Sequence, residues 1–159
     1  YFTRFKNTWY HGDFAEIKKT KGFVIHGRSD TTLNPGGVRL GTAEIYSEVE
    51  KFKEIKESIV VGQSWDNDVR IISFIVMNTK FLFTEDLLKK IKLQIRKNAS
   101  PRHVPSKVIL VNDIPRTKSG KIVELAVKNT IEGNKIKNIE ALANPKALEQ
   151  FKNLKELSI

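Results

Sequence analysis

An α+β domain, with a central antiparallel sheet flanked by helices and a short β-hairpin ahead of it, is the fold class this sequence predicts. Three observations predict it. Two runs rich in Ile and Val, Ile55–Trp65 and Val69–Met77, are separated only by Asp66-Asn67-Asp68, so they read as an antiparallel pair of strands. Thr84 followed by Glu85 and Asp86 is a helix start, and apolar residues then recur at helical spacing. Strands and helices are mixed, with at least one clear hairpin, as α+β domains require. A chain of 159 residues, 40% apolar, suits one such domain, or a small domain with extra arms.

In chain order, Trp9-Tyr10-His11-Gly12-Asp13 leads in, with a turn at Gly12 and Asp13 at its mouth. Phe14 to Lys18 alternates apolar and polar, Lys19 to Gly22 turns, and Phe23-Val24-Ile25 returns, which predicts a short hairpin. Asn34-Pro35-Gly36-Gly37 is a turn signal, and paired glycines let a ligand lie against the backbone. Thr42 is expected to cap a helix with Glu44 in its first turn and Ile45, Val49 and Phe52 on one face. After the strand pair comes the Thr84 helix. Leu88, Ile91 and Ile95 form its expected buried stripe, with Lys89, Lys90, Lys92 and Arg96 on its wet side and Pro101 and Pro105 beyond its end. Lys107 to Asn112 reads as a short strand. Ile122, Leu125 and Ala126 are expected to begin another helix. Residues 132–138 are polar and broken by glycine, and a last short helix with Leu148, Phe151 and Leu154 on its apolar side is expected to pack as an accessory.

The net charge of +10 is unevenly spread. Residues 84–130 hold 11 basic and 4 acidic side chains, a local excess of +7, against +2 before them and +1 after. Such a concentration attracts polyanions: nucleic acid, an anionic membrane or a phosphorylated cofactor. There are no cysteines, which excludes disulfides and thiolate metal sites. Apolar runs such as Val108–Val111 are far too short to span a bilayer, and no cleavable signal opens the chain, so a cytoplasmic location without membrane partners is expected. The first residue is Tyr1 rather than methionine, which suggests a piece of a longer protein. His11, His26 and His103 share no metal-ligand spacing and read as structural, so no metal site is expected in the chain.

Within the basic segment, Ile114-Pro-Arg-Thr-Lys-Ser-Gly-Lys121 is a flexible, donor-rich loop ending in a mobile ammonium, suited to a phosphate or carboxylate. It is not a Walker loop, because Pro115 stands where that pattern needs glycine and Ile122 where it needs Ser or Thr. Taken alone it is weak evidence, because a basic turn before a helix is usually just solvated.

Three stretches in fixed order change that balance: Tyr10-His11-Gly12-Asp13; Gly27-Arg28-Ser29-Asp30 running to Gly36-Gly37-Val38-Arg39-Leu40-Gly41-Thr42-Ala43-Glu44-Ile45; and Ile114 to Lys121. Together they resemble the late motifs of the adenylate-forming enzymes, the superfamily of acyl-CoA synthetases, peptide-synthetase adenylation domains and luciferases. The resemblance covers nearly the whole chain. It implies that residues 1–29 are the end of a large N-terminal domain with its hairpin and the approach to a hinge, residues 30–135 a small mobile C-terminal domain, and residues 136–159 a C-terminal extension. Asn34-Pro35-Gly36-Gly37-Val38-Arg39, Ser100-Pro101-Arg102-His103-Val104-Pro105 and Leu142-Ala143-Asn144-Pro145 are similar to the branch that activates acetoacetate, close to the acetate-activating one.

The resemblance implies a ligase working in two half-reactions: acid and MgATP give an acyl-adenylate and pyrophosphate, then CoA gives the thioester and AMP. ATP, Mg²⁺ held mainly outside this chain, CoA, acetoacetate and the missing N-terminal domain are the implied partners. Lys121 matches the adenylation lysine, a cation for the crowded charge of the attack. Asp13 matches the carboxylate that accepts hydrogen bonds from the ribose diol. Arg28 and Arg39 match nucleotide-binding positions suited to a guanidinium fork. Asp30 matches the hinge. Gly36 and Gly37 match the loop beside the CoA tunnel, although acetate-specific relatives often carry serine then glycine there, so a hydroxyl contact is lost. Arg96 matches a position that meets CoA phosphate. The plainer readings are a surface lysine, a turn-capping Asp13, salt bridges for Arg28 and Arg39, and a solvated helix arginine for Arg96.

Two rivals stand beside this reading. A basic nucleic-acid-binding module would interleave aromatics with its cations, yet residues 84–130 contain no Phe, Tyr or Trp. A ligase for acetate, propionate or a longer acid fits the same motifs, because the acyl pocket belongs to the missing domain.

Overall fold

The structure, a computed structural model, describes residues 5–136 and 138–158, apart from the side chains of His26 and Gly27. The reading of His26 as structural therefore lies outside the described residues, as do Tyr1 to Arg4 of the opening stretch.

The chain begins with the expected hairpin. β1 (Asp13–Ile17) pairs antiparallel with β2 (Phe23–Arg28), with Asp13 opposite Arg28 and a bulge at Phe14/Ala15. Its apolar residues are unusually exposed: Ile17, Phe23 and Ile25 all lie open to solvent. Residues 33–40 form a closed loop whose ends are joined by reciprocal backbone bonds between Leu33 and Leu40, of 3.0 and 2.9 Å. α1 (Thr42–Val49) follows. Its N-cap is Gly41, in extended geometry, and Thr42 is already the first helical residue, so no side chain caps this helix. The expected Thr42 cap is displaced by one position.

β3 (Ile55–Trp65) and β4 (Asp68–Met77) form the long antiparallel ladder. Asp66 and Asn67 connect them, both with positive φ (48° and 58°), the two-residue turn whose twist matches that of the strands. α2 (Glu85–Asn98) starts as expected, with the Thr84 hydroxyl accepting from Leu87 N. Its buried stripe is Leu87, Ile91 and Ile95, while Leu88 is half-buried. Spacing of four and four keeps those three in one row, and Leu88 lies a further 100° round the helix. The chain then crosses over, and β5 (Lys107–Leu110) joins β4 in parallel, making the central sheet mixed, with order β3-β4-β5. The helical crossover is what allows the parallel pairing. α3 (Glu124–Ile131) completes the set of three α-helices among the described residues. Ile122 lies before it and pairs with Arg116 instead of beginning the helix.

Alternate residues of β3 and β4 feed two separate cores, one on each face of the sheet. On one face Val60, Ile71 and Ile75 pack with α1, α2, Leu33 and Leu40. On the other, Ile59, Val61, Ile72 and Phe74 pack with α3, Ile114 and the last stretch of chain. That last stretch contributes Leu142, Leu148, Phe151 and Leu157 to the core itself. Its helix, Pro145–Phe151, is of the tighter 3₁₀ type.

Candidate functional site

At the open end of the hairpin the structure gathers Asp13, Arg28 and Asp30. The His11 Nδ1 lies 2.6 Å from Asp13 Oδ2. Arg28 spans Asp30 with both forks, Nε and Nη2 each 3.2 Å from a carboxylate oxygen, and its Nη1 donates to His11 O at 2.9 Å. The bond to Asp30 holds the guanidinium above its ordinary value, with burial acting against it. Gly12 is required here: with φ of 90°, a Cβ on it would lie 2.9 Å from Arg28 Nη2. Ser29 closes the turn, its hydroxyl donating to Gly12 O at 3.0 Å and meeting Tyr10 Oη at 2.7 Å. Arg28 and Asp30 are thus one ion pair in this conformation, half exposed on both sides.

Gly36 and Gly37 stand in the next loop with φ of 57° and 75° and nothing within 4 Å of either missing Cβ. The loop is open, yet it is anchored. Gly36 N donates to both carboxylate oxygens of Asp68, 2.9 Å each, at the first residue of β4. Arg39 is exposed and has no hydrogen-bond or ion-pair partner among the described residues. Arg96 lies exposed on α2 and lines a groove of about 410 Å³ with Lys89, Lys92, Leu93, Pro101 and Val104, three cations over an apolar floor. These features all grow from the α1/α2 face of the sheet.

Lys121 lies on the other face. Residues 116–122 form a small hairpin: Thr117 N donates to Lys121 O at 2.8 Å and Lys121 N to Thr117 Oγ1 at 3.1 Å, with Gly120 turning at φ 83°. Arg116 holds the loop from beneath, with Nη2 2.8 Å from Glu57 on β3 and Nη1 donating to Gly120 O at 3.0 Å. The Lys121 side chain has no hydrogen-bond or ion-pair partner among the described residues. A rigid loop with a free ammonium at its tip can meet an anion brought to it. No described bond joins Lys121 to Asp13, Arg28, Arg39 or the glycine loop.

His103 is buried, with Nε2 on Glu44 and Nδ1 2.8 Å from Ser100 Oγ, and it ties the turn after α2 to α1. No group of three or more His, Asp or Glu converges among the described residues in a way that could hold a metal ion.

The family model described as AMP-binding enzyme C-terminal domain matches residues 44–121, which run from α1 to the lysine loop. Over 157 residues the chain is 59% identical to an acetoacetyl-coenzyme A synthetase of Rhizobium meliloti, covering 99% of this chain and 24% of that relative. Residues 44–121 belong to the AMP-binding enzyme C-terminal domain family. A Xenopus tropicalis acetoacetyl-CoA synthetase is 48% identical over 159 residues, again covering 24% of that protein. The solved acetoacetyl-CoA synthetase from Streptomyces lividans superposes with a TM-score of 0.87 at 36% identity, over 100% of this chain and 24% of that one. The chain thus spans about a quarter of the length of the curated relatives it matches.

For an AMP-binding enzyme C-terminal domain, sequence reasoning misses the residues that hold the motifs in place. Asp68 under Gly36 and Glu57 under Arg116 are set by tertiary contact, while the His11–Asp13 pair is local. Only the last could be foreseen, from two residues close in sequence.

Proposed function

We propose that the chain is the mobile C-terminal lid of an AMP-forming acetoacetate–CoA ligase. The observation that carries this reading is the placement of two unlike elements, an unpaired lysine loop and an open glycine loop with a cationic groove, on opposite faces of one sheet. The free Lys121 ammonium stands on one face, and the open Gly36-Gly37 loop and the Arg96 groove grow from the other. A hinge rotation at Asp30 then presents one face for each half-reaction.

In adenylation the acetoacetate carboxylate attacks the ATP α-phosphorus and pyrophosphate leaves. Lys121 neutralises the charge that builds on the attacking and phosphoryl oxygens. Asp13, oriented by His11, accepts from the ribose hydroxyls, and Arg28 and Arg39 face the phosphate side. In the second step CoA passes over Gly36 and Gly37, whose bare backbone lets pantetheine approach, and Arg96 with its neighbouring lysines receives CoA phosphate. The thiol attacks the acyl carbonyl and AMP departs. In this reading Mg²⁺ is held mainly by the nucleotide and the rest of the protein. The reading places the enzyme in the cytoplasm. No described helix is long and apolar enough to cross a membrane.

The test is AMP release by the full-length protein with acetoacetate, acetate, propionate and butyrate at equal concentration. CoA-dependent preference for acetoacetate is expected, and preference for another acid removes the substrate while keeping the two steps. In the same protein Lys121→Ala is expected to abolish adenylation and spare thioester formation from supplied acyl-adenylate. Equal loss of both would make Lys121 structural. The 159-residue chain alone is expected to form no thioester, since the ligands lie between two domains.

A further inference from the structure

Past β5 the chain leaves the sheet, and its backbone polar groups lose their ladder partners just before the lysine loop. Buried or half-buried groups of this kind must be paired elsewhere. Two side-chain amides from the last stretch of chain pair them. Arg116 N donates to Asn144 Oδ1 at 2.8 Å, while Asn144 Nδ2 donates to Ile114 O at 2.9 Å and to Asp113 Oδ2 at 2.7 Å. Asn144 therefore uses its carbonyl and its amide hydrogens on three points of the loop's entry, at residues 113, 114 and 116. Gln150 repeats the pattern one step earlier, accepting from Asn112 N at 2.6 Å and donating to Asp113 O at 2.7 Å. Beyond Asn144 the backbone continues the match: Ala143 N donates to Arg116 O at 2.8 Å and Lys118 N to Ala141 O at 3.1 Å. Residues 141–143 thus act as an added strand along the loop, with Thr117 opposite Leu142.

We infer that Asn144 is a positioning residue for Lys121, acting through residues 113–116 without touching the substrates. The inference rests on the reading of Lys121 as the adenylation lysine. Arg116 is the link. Asn144 fixes its backbone nitrogen, and its side chain holds Gly120 O, the residue before Lys121. A misplacement near 1 Å, far from the chemistry, is enough to slow a step about a hundredfold.

The experiment uses the full-length protein and measures the two half-reactions apart: acid-dependent exchange of pyrophosphate into ATP, and CoA-dependent AMP release from supplied acetoacetyl-AMP. Asn144→Ala is expected to lower the exchange kcat by about ten- to a hundredfold, and to leave the second half-reaction within about twofold. A merely structural role would lower both together. Asn144→Asp sets a carboxylate against Asp113 Oδ2 and Ile114 O and should behave like the alanine variant. Asn144→Asp with Asp113→Asn puts an amide donor back across the 2.7 Å gap and should recover part of the exchange rate. Undiminished exchange in Asn144→Ala, or an equal fall in both half-reactions, overturns the inference. If Asn144→Ala does not fold, the aspartate pair decides, and no recovery in the double variant overturns it. Lys121→Ala runs alongside as the control. Lost exchange there with normal exchange in Asn144→Ala defeats the positioning role alone, whereas unchanged exchange in Lys121→Ala defeats the reading of the lysine.

Discussion

Replacing Phe151 by alanine tests whether the last stretch of chain is part of the domain's core. The ring is fully buried and meets Phe74 of β4 edge-to-face, with centroids 4.9 Å apart at 80°. The buried cluster it belongs to also draws residues from β3, β4, β5, α3 and the rest of the last stretch. Truncating a buried phenylalanine removes the transfer free energy of the ring and leaves a cavity, together about 3–5 kcal/mol. A residue on a loosely attached accessory would cost roughly 0.5 kcal/mol or less. With a urea slope of about 2 kcal/mol per molar for a domain of this kind, the expected fall in midpoint is roughly 2 M. The assay is urea unfolding of the 159-residue chain, followed by far-UV circular dichroism, with the slope required to stay unchanged. Leu154→Ala, at a half-buried neighbouring position, serves as the milder comparison. A loss below about 1 kcal/mol for Phe151→Ala would refute the reasoning, because no well-packed aromatic in a closed core is that cheap to remove.

Two further outcomes follow from buried polar contacts. The Tyr46 hydroxyl donates to Glu124 Oε1 at 2.6 Å and accepts from Val60 N at 3.0 Å, and burial, then Glu124, pushes its ionisation well up. Tyr46→Phe leaves the Val60 N–H unpaired and should cost about 1–3 kcal/mol, read from the same denaturation curve. Glu48 accepts from Asn98, Lys51 and Gln94, and these bonds, that to Asn98 first, hold its carboxyl below the ordinary value of 4.5. A depressed carboxyl stabilises the fold above the ordinary value, and that contribution fades as pH falls through the folded one. The stability gap between the native protein and Glu48→Gln should therefore be full at pH 6 and shrink as pH falls through and below 4.5. A gap independent of pH would show that Glu48 contributes no charge-linked stability.

Local chemistry carried much of this fold into view. The turn between β3 and β4 needs two left-handed residues, and Asp-Asn is a pair that tolerates them. The start of α2 is written in Thr84, Glu85 and Asp86. What stayed hidden depended on distant partners. Leu87 and Leu88 fit the helical period about equally, and only the position of α1 and the sheet selects Leu87. Ile122 looks like the first apolar residue of a helix, yet it is held out of one by pairing with Arg116. The parallel entry of β5 leaves no mark within its four residues. At the site, the motif residues themselves stood out, Asn144 among them within Leu142-Ala143-Asn144-Pro145, but the contacts by which Asp68, Glu57 and Asn144 hold the loops could not be read from spacing.

The late position of Asn144 and Phe151 also orders events during synthesis. A chain emerging from the ribosome folds from its N-terminal end as residues become available, at about 5–20 per second. The hairpin of β3 and β4 and the α1/α2 face can assemble while the lysine loop is still being made. The loop itself has no edge partner until residues 141–150 have followed it out. A chain interrupted between Lys121 and Asn144 would carry the lysine loop without the bonds from residues 141–150 that hold it, so premature termination in that window yields a product whose loop is complete in sequence and yet unset.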